Sequence, residues 1–226
     1  MVRDPVHRPI ALPLLALAAA VAGCASTRRD PFANADYPGT LQAPSALTND
    51  VVWQQRVTAA WGIARGERHE RGFDAAVQKK GSTLTVLGIS PLGNVGFTFV
   101  LRDGAPDAEV KNTSGEELPF PPRFVLLDVQ RTFWPWLGAP PVSGNRLGTV
   151  GDEQVAETWR DGRLVERTFT RRDGKPAGAI TITYDWNGVD DPSRLAPRRT
   201  VLHNGWFDYE LTVDTHAETR LPNEPR

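Results

Sequence analysis

With a single cysteine among 226 residues, the chain can form no internal disulfide. It also lacks a membrane-spanning run: the longest apolar stretch, residues 10–21, has about 12 residues where a bilayer helix takes about 20. Neither sign of charge dominates, since 26 basic residues meet 27 acidic ones in no block longer than a few, and this excludes a nucleic-acid footprint. Motifs for catalysis are missing as well. No serine occupies a Gly-x-Ser-x-Gly turn, and Ser90, Ser114 and Ser143 fall in expected loops. There is no Gly-x-x-x-x-Gly-Lys, and residues 62–72 are too charged and too poor in glycine to cradle phosphate. Of four histidines, His69, His203 and His216 fall on expected strands without His-x-His or His-x-x-x-His spacing, so they read as surface or sheet-facing groups rather than metal ligands. Glu116-Glu117 and Asp190-Asp191 read as solvated turns. The reading is of a protein without catalytic residues or metal, and not an enzyme.

What is present starts with that cysteine. Cys24 closes Val21-Ala22-Gly23-Cys24, behind a cationic start at Arg3 and Arg8 and the apolar stretch. The arrangement resembles the signal of bacterial lipoprotein precursors. The resemblance implies removal of residues 1–23, a diacylglycerol thioether on Cys24 and an acyl chain on its new amino terminus. Such lipidation exceeds the two signals that hold a protein stably on a membrane. Ala25, rather than Asp, follows the cysteine, which by resemblance to the enterobacterial sorting rule implies the outer membrane, facing the periplasm. Residues 24–49, rich in Pro, Ala, Ser, Thr, Asn and Gly, read as a lipidated flexible tether.

From residue 50 the pattern becomes one of strands. Trp53, Gln55, Val57, Ala59 and Trp61 alternate with Gln54, Arg56, Thr58 and Ala60. Strands are expected at 67–80, 83–89 and 95–102, joined by the turns Lys80-Gly81-Ser82 and Ser90-Pro91-Leu92-Gly93-Asn94 into an antiparallel meander. Pro119, Pro121 and Pro122 introduce, and Pro135 stops, a helix of about three turns over 123–134 with a broad apolar face. That face either packs on the sheet or covers it as a lid shared with a ligand. Asp128 and Gln130 on this helix sit at a cavity mouth, or Asp128 pairs with Arg123 or Arg131. A Gly/Pro-rich stretch, 138–151, precedes strands at 153–159, 163–171, 178–186, 198–204 and 206–216, the last two meeting at Asn204-Gly205. The expectation is about 9–11 strands in a domain spanning 50–218, with a tail at 219–226.

Specific residues carry a resemblance. Pro91-Leu92-Gly93 between two strands, the Leu/Trp/Pro-rich helix before Gly138-Ala139-Pro140, and the final hairpin recur in this order in the outer-membrane lipoprotein receptor LolB. The segment through Asp128-Val129-Gln130 to Trp134-Pro135 resembles the DUF3261 family of bacterial lipoproteins. These resemblances imply a mainly β fold: a strongly curved, incompletely closed antiparallel β-barrel with a helical lid, LolA/LolB-like. They imply a monomer that binds a lipid-like or acylated cargo, received from a periplasmic carrier protein, and helps deliver it to membrane lipid. The alternative is a structural or assembly lipoprotein accessory to an outer-membrane or polyene-lipid export pathway. Leu92 corresponds to the leucine implicated in handing lipoprotein to the membrane in LolB. It either protrudes or folds back on the sheet. Trp61, Phe97, Phe124, Leu127, Trp134 and Trp136 are the expected cargo contacts, though the seven tryptophans either line a cavity or fill the core.

Overall fold

A computed structural model describes residues 37–222, apart from 65, 91, 106 and 114–120. Cys24 and Pro91 therefore lie outside the described residues.

Eleven antiparallel strands form one open sheet. β1 (Val51–Trp61), β2 (His69–Lys80), β3 (Thr83–Ile89), β4 (Val95–Arg102) and β5 (Glu109–Asn112) run outward as a meander. The helix α1 (Pro122–Phe133) then carries the chain to β6 (Gly144–Val150) at the far edge. From there β7 (Glu153–Arg160), β8 (Arg163–Arg171), β9 (Ala179–Asp185), β10 (Arg199–Asn204) and β11 (Tyr209–Arg220) return toward the middle. The sheet order is β5-β4-β3-β2-β1-β11-β10-β9-β8-β7-β6, so the first and last strands zip the two halves together. Irregularities in pairing at Gln54/Gln55, Gly88/Ile89 and Thr158/Trp159 add the local twist that lets so broad a sheet curl. The edges β5 and β6 stay unjoined, and the result is a half-barrel.

The helix straddles both halves. It sends Phe124 and Leu127 into a cluster with Phe169, Ile180, Ile182 and Leu202, and Leu126 into a second cluster with Trp53, Val77, Leu84 and Phe99. Trp134, just past the helix, joins the second. Consecutive leucines on a helix point about 100° apart, so Leu126 and Leu127 together fix α1 across the concave face. Among the described residues no helix is long and apolar enough to cross a membrane.

Three features differ from expectation. β5 is exposed along its whole length, and β6 carries Gly144 and Gly148 and turns Leu147 outward, so neither shows the apolar–polar alternation in sequence that announces a half-buried strand. Gly148 has a packing reason: a Cβ there would fall 2.4 Å from the Leu137 side chain. Trp206 lies in a four-residue loop, not in the last strand, because the Asn204 side-chain oxygen accepts the backbone N–H groups of Trp206 and Phe207. β11 then runs past residue 216 to Arg220.

Residues 37–49 are a strap, not a tether. Tyr37 is 1% exposed and Leu47 is buried. Four polar side chains of α1 hold this strap: Arg123 donates to the Gly39 carbonyl, Arg131 to the Pro38 carbonyl, and Gln130 both accepts from and donates to the backbone of Gln42. Asp128 accepts from the Tyr37 hydroxyl. Small and polar residues look like spacer in sequence, but here they satisfy the helix.

Candidate functional site: an apolar cavity beneath the helix

Between α1 and the concave face lies a cavity of about 320 Å³, at the lower end of the ~300–1,000 Å³ usual for ligand sites. Its floor uses inward positions of the middle strands, and several of them are small: Ala59 on β1, Ala75 on β2, Gly88 on β3. Missing side-chain volume at Ala59 and Ala75 leaves space that larger residues would fill, while the place of a side chain at Gly88 is taken by the Phe97 ring. The roof is Phe124, Val125, Val129 and Phe133. At one end the Phe97 ring lies over Gly88, where a Cβ would come within 2.0 Å of it. Phe97 stacks on Phe99 at 4.7 Å and meets Phe73 edge-on at 5.9 Å, giving the cavity an aromatic wall.

Ile89 and Ser90 continue this wall into the β3–β4 turn. The turn is closed by the Gly93 N–H to the Ser90 carbonyl and the Ser90 N–H to the Asn94 carbonyl, each 2.8 Å. Gly93 supplies the positive φ of 82° that the turn needs. Leu92 stands at its tip, 88% exposed.

At the cavity's roof a buried polar cluster begins. Asp128, a lining residue, accepts hydrogen bonds from both the Tyr37 and Tyr209 hydroxyls, and Asn204 donates to Tyr37 at 2.8 Å. Burial first, and then the Asp128 carboxylate, hold both phenols protonated well above the ordinary tyrosine range. The Arg131 guanidinium lies 2.7 Å from Glu153 and 3.9 Å from Asp128, enclosed by the faces of Tyr37, Trp206 and Phe169 at 4.7–5.4 Å. Of the two partners considered for Asp128 in sequence, Arg131 is the neighbour, while Arg123 turns to the strap.

Burial pushes the Asp128 carboxyl up to about 6, against the opposing pull of Arg131 and the two hydroxyls. Its folded value therefore exceeds its unfolded one. Stability from this group is fully present below about 4 and is lost as pH rises through about 6, by about 3 kcal/mol in order of magnitude. Against Asp128→Asn, which stays neutral, wild type is expected to lose relative stability between pH 4 and pH 7. Urea titrations of both proteins across that range check this, and a constant difference would contradict it.

A sequence profile of the family described as "Protein of unknown function (DUF3261)" matches residues 52–217. The chain belongs to the DUF3261 family. No curated protein matches it. Among solved structures, the chain is similar to a LolA superfamily protein from Nitrosomonas europaea, at 13% identity and a TM-score of 0.44, covering 83% of this chain and 96% of that one. It is also similar to a putative outer membrane lipoprotein-sorting protein domain from Vibrio parahaemolyticus, at 12% identity and a TM-score of 0.43, covering 81% and 94%.

On the DUF3261 fold the expected cargo contacts separate. Phe97 and Phe124 line the apolar cavity. Leu127 lies in the packed core with Phe169 and Ile182, and Trp136 packs edge-on to Phe169 at 5.1 Å, its indole N–H donating to the Gln130 carbonyl. Trp134 is buried in the other cluster, and Trp61 sits at the end of β1 beside His69. None of these four borders the apolar cavity, because strand and helix register turn them to other faces. Phe73, Phe99 and Leu211 do border it, with alternation along their strands as the available signal, and so does Val129, at helical spacing from Val125 and Phe133 on α1. Tyr37 gave no signal: it lies in a stretch whose composition reads as spacer. Among the described residues no group of three or more His, Cys, Asp or Glu gathers as a metal site.

Proposed function

We propose that this protein is a lipid-anchored envelope protein that takes an apolar, acylated or lipid-like molecule into the cavity beneath α1 and passes it to a membrane by way of Leu92. The cavity is the observation that carries this reading: an apolar space roofed by a helix, left open by Ala59 and Ala75. A filled half-barrel would have larger side chains at those positions.

Topology supports delivery at one end. Tyr37 contacts Tyr209, which pairs with Trp61 at the end of β1, and the β3–β4 turn closes the same end of the sheet. The chain from Cys24 to Tyr37 would span at most about 45 Å fully extended. A lipid on Cys24 would thus leash the domain by the end that presents Leu92, and outer-membrane placement follows from Ala25 as read above.

Native mass spectrometry and lipid extraction test the reading on the chain lacking residues 1–24, purified from a periplasm. Stoichiometric acylated molecules are expected to co-purify. A folded protein that arrives empty and takes up no offered lipid would overturn the carrier and favour the assembly lipoprotein.

A further inference from the structure

A second cavity, about 380 Å³, lies on the other flank of the last turn of α1, and Thr132 and Phe133 wall both spaces. Its chemistry is different. Four tryptophans, Trp134, Trp136, Trp159 and Trp186, meet there with Arg163, Arg167 and Arg194, against one carboxylate, Glu157.

Part of this set is committed to the fold. Arg167 and Glu157 pair at 2.8 Å, and Arg167 also donates to the Arg131 carbonyl. The Gln130 carbonyl accepts from Trp136, and the Thr132 carbonyl from the Tyr184 hydroxyl. With those carbonyls engaged, the end of the helix presents less negative character to the cavity.

Two cations are left. Arg163 lies over the Trp186 ring at 5.2 Å and donates to the Val189 carbonyl, while Arg194 donates to the Thr215 carbonyl. Among the described residues neither has a carboxylate at ion-pair distance; Asp191 acts on Arg194 only from farther away. Two further donors, the Arg194 Nε–H and the Trp134 indole N–H, are buried with no acceptor among the described residues. Buried donors are rarely left so, and two arginines without a carboxylate partner beside two unpaired N–H groups call for one kind of occupant: an acceptor of negative charge.

We propose that this cavity binds an oxyanion, the phosphate or carboxylate of a small ligand or lipid headgroup, held by Arg163 and Arg194, with the buried Trp134 indole N–H beside the site as its reporter. The tryptophan walls exclude water and strengthen the charge-assisted bonds. Arginine suits the task because its planar fork matches such groups with two parallel bonds. The site is independent of what the apolar cavity holds.

Indole 15N–1H spectra of the full-length protein in dodecyl maltoside test it, with inorganic phosphate and dihexanoyl phosphatidic acid as probes and Trp134→Phe assigning the resonance. Saturable movement of the Trp134 indole signal is expected at millimolar probe or below. Phosphatidic acid binding about tenfold or more tighter than phosphate assigns a headgroup, and equal affinities assign the free anion. In Arg163→Gln/Arg194→Gln the response should weaken at least about tenfold while a fluorescent fatty acid binds that variant as it binds wild type. No saturable shift with either probe overturns the site. So does undiminished binding by the double variant. Loss of both anion and fatty-acid responses marks a misfolded variant, and Arg163→Gln alone then decides by the same criterion.

Discussion

Replacing Leu92 with glutamate is expected to leave the protein's lipid content unchanged while slowing delivery to liposomes at least about tenfold. The leucine is 88% exposed at a turn tip next to the cavity wall, and it borders no part of the cavity itself. Its loss therefore has no route to cargo affinity. Inserting a leucine side chain among acyl chains is worth ~1.5–3 kcal/mol, and each ~1.4 kcal/mol is tenfold in an equilibrium. Glutamate removes that gain and adds a charge that resists entry. Leu92→Met, apolar and of similar size, is expected to retain delivery. Rates of transfer from cargo-loaded protein to vesicles, beside cargo content by extraction, separate the two steps. Equal transfer by the glutamate variant would remove Leu92 from the mechanism.

Cutting the strap has the larger structural effect. A chain that begins at Val51 is expected not to fold cooperatively, whereas one that begins at Ala25 keeps the wild-type urea midpoint. Burial of Tyr37 and Leu47 alone is worth ~1.5–3 kcal/mol each. Removing the strap also strips acceptors or donors from Arg123, Asp128, Gln130 and Arg131, and a buried polar group left unpaired costs ~1–3 kcal/mol. The sum rivals the ~5–15 kcal/mol that holds a whole domain together. Tyr37→Phe gives a graded measure: it removes only the hydroxyl shared by Asp128, Asn204 and Tyr209, for an expected loss of ~1–3 kcal/mol by urea denaturation. A Val51 start that matched the longer chain in midpoint and slope would show the strap to be dispensable.

The strap also shows where sequence reading fails. Trp53, Gln55, Val57 and Ala59 announce β1 by strict alternation, and all four are buried. Prolines at both ends announce α1, and Lys80-Gly81-Ser82 announces the turn between β2 and β3. Those signals are local, so a single strand of text carries them. Tyr37 meets Asp128 across 91 residues and Tyr209 across 172, and nothing near Tyr37 in the chain records either contact. Likewise Asp128 and Gln130 look alike as polar residues on an apolar helix. Only the packed structure separates their tasks, one binding two phenols and the other clasping a backbone.

By itself, then, the sequence determined a mainly β domain with one bracketed helix and, from its single cysteine, no internal disulfide. Periodicity, turn chemistry and composition are local properties, and they sufficed for these. The tertiary structure decided which large side chains face empty space. Trp134 and Trp136 are as apolar as Phe97 and Phe124, yet the first pair lies away from the apolar cavity and the second pair lines it. That division rests on strand register and on where the helix crosses the sheet, and both are settled by the long-range pairing of β1 with β11 and by volumes missing at Ala59 and Ala75.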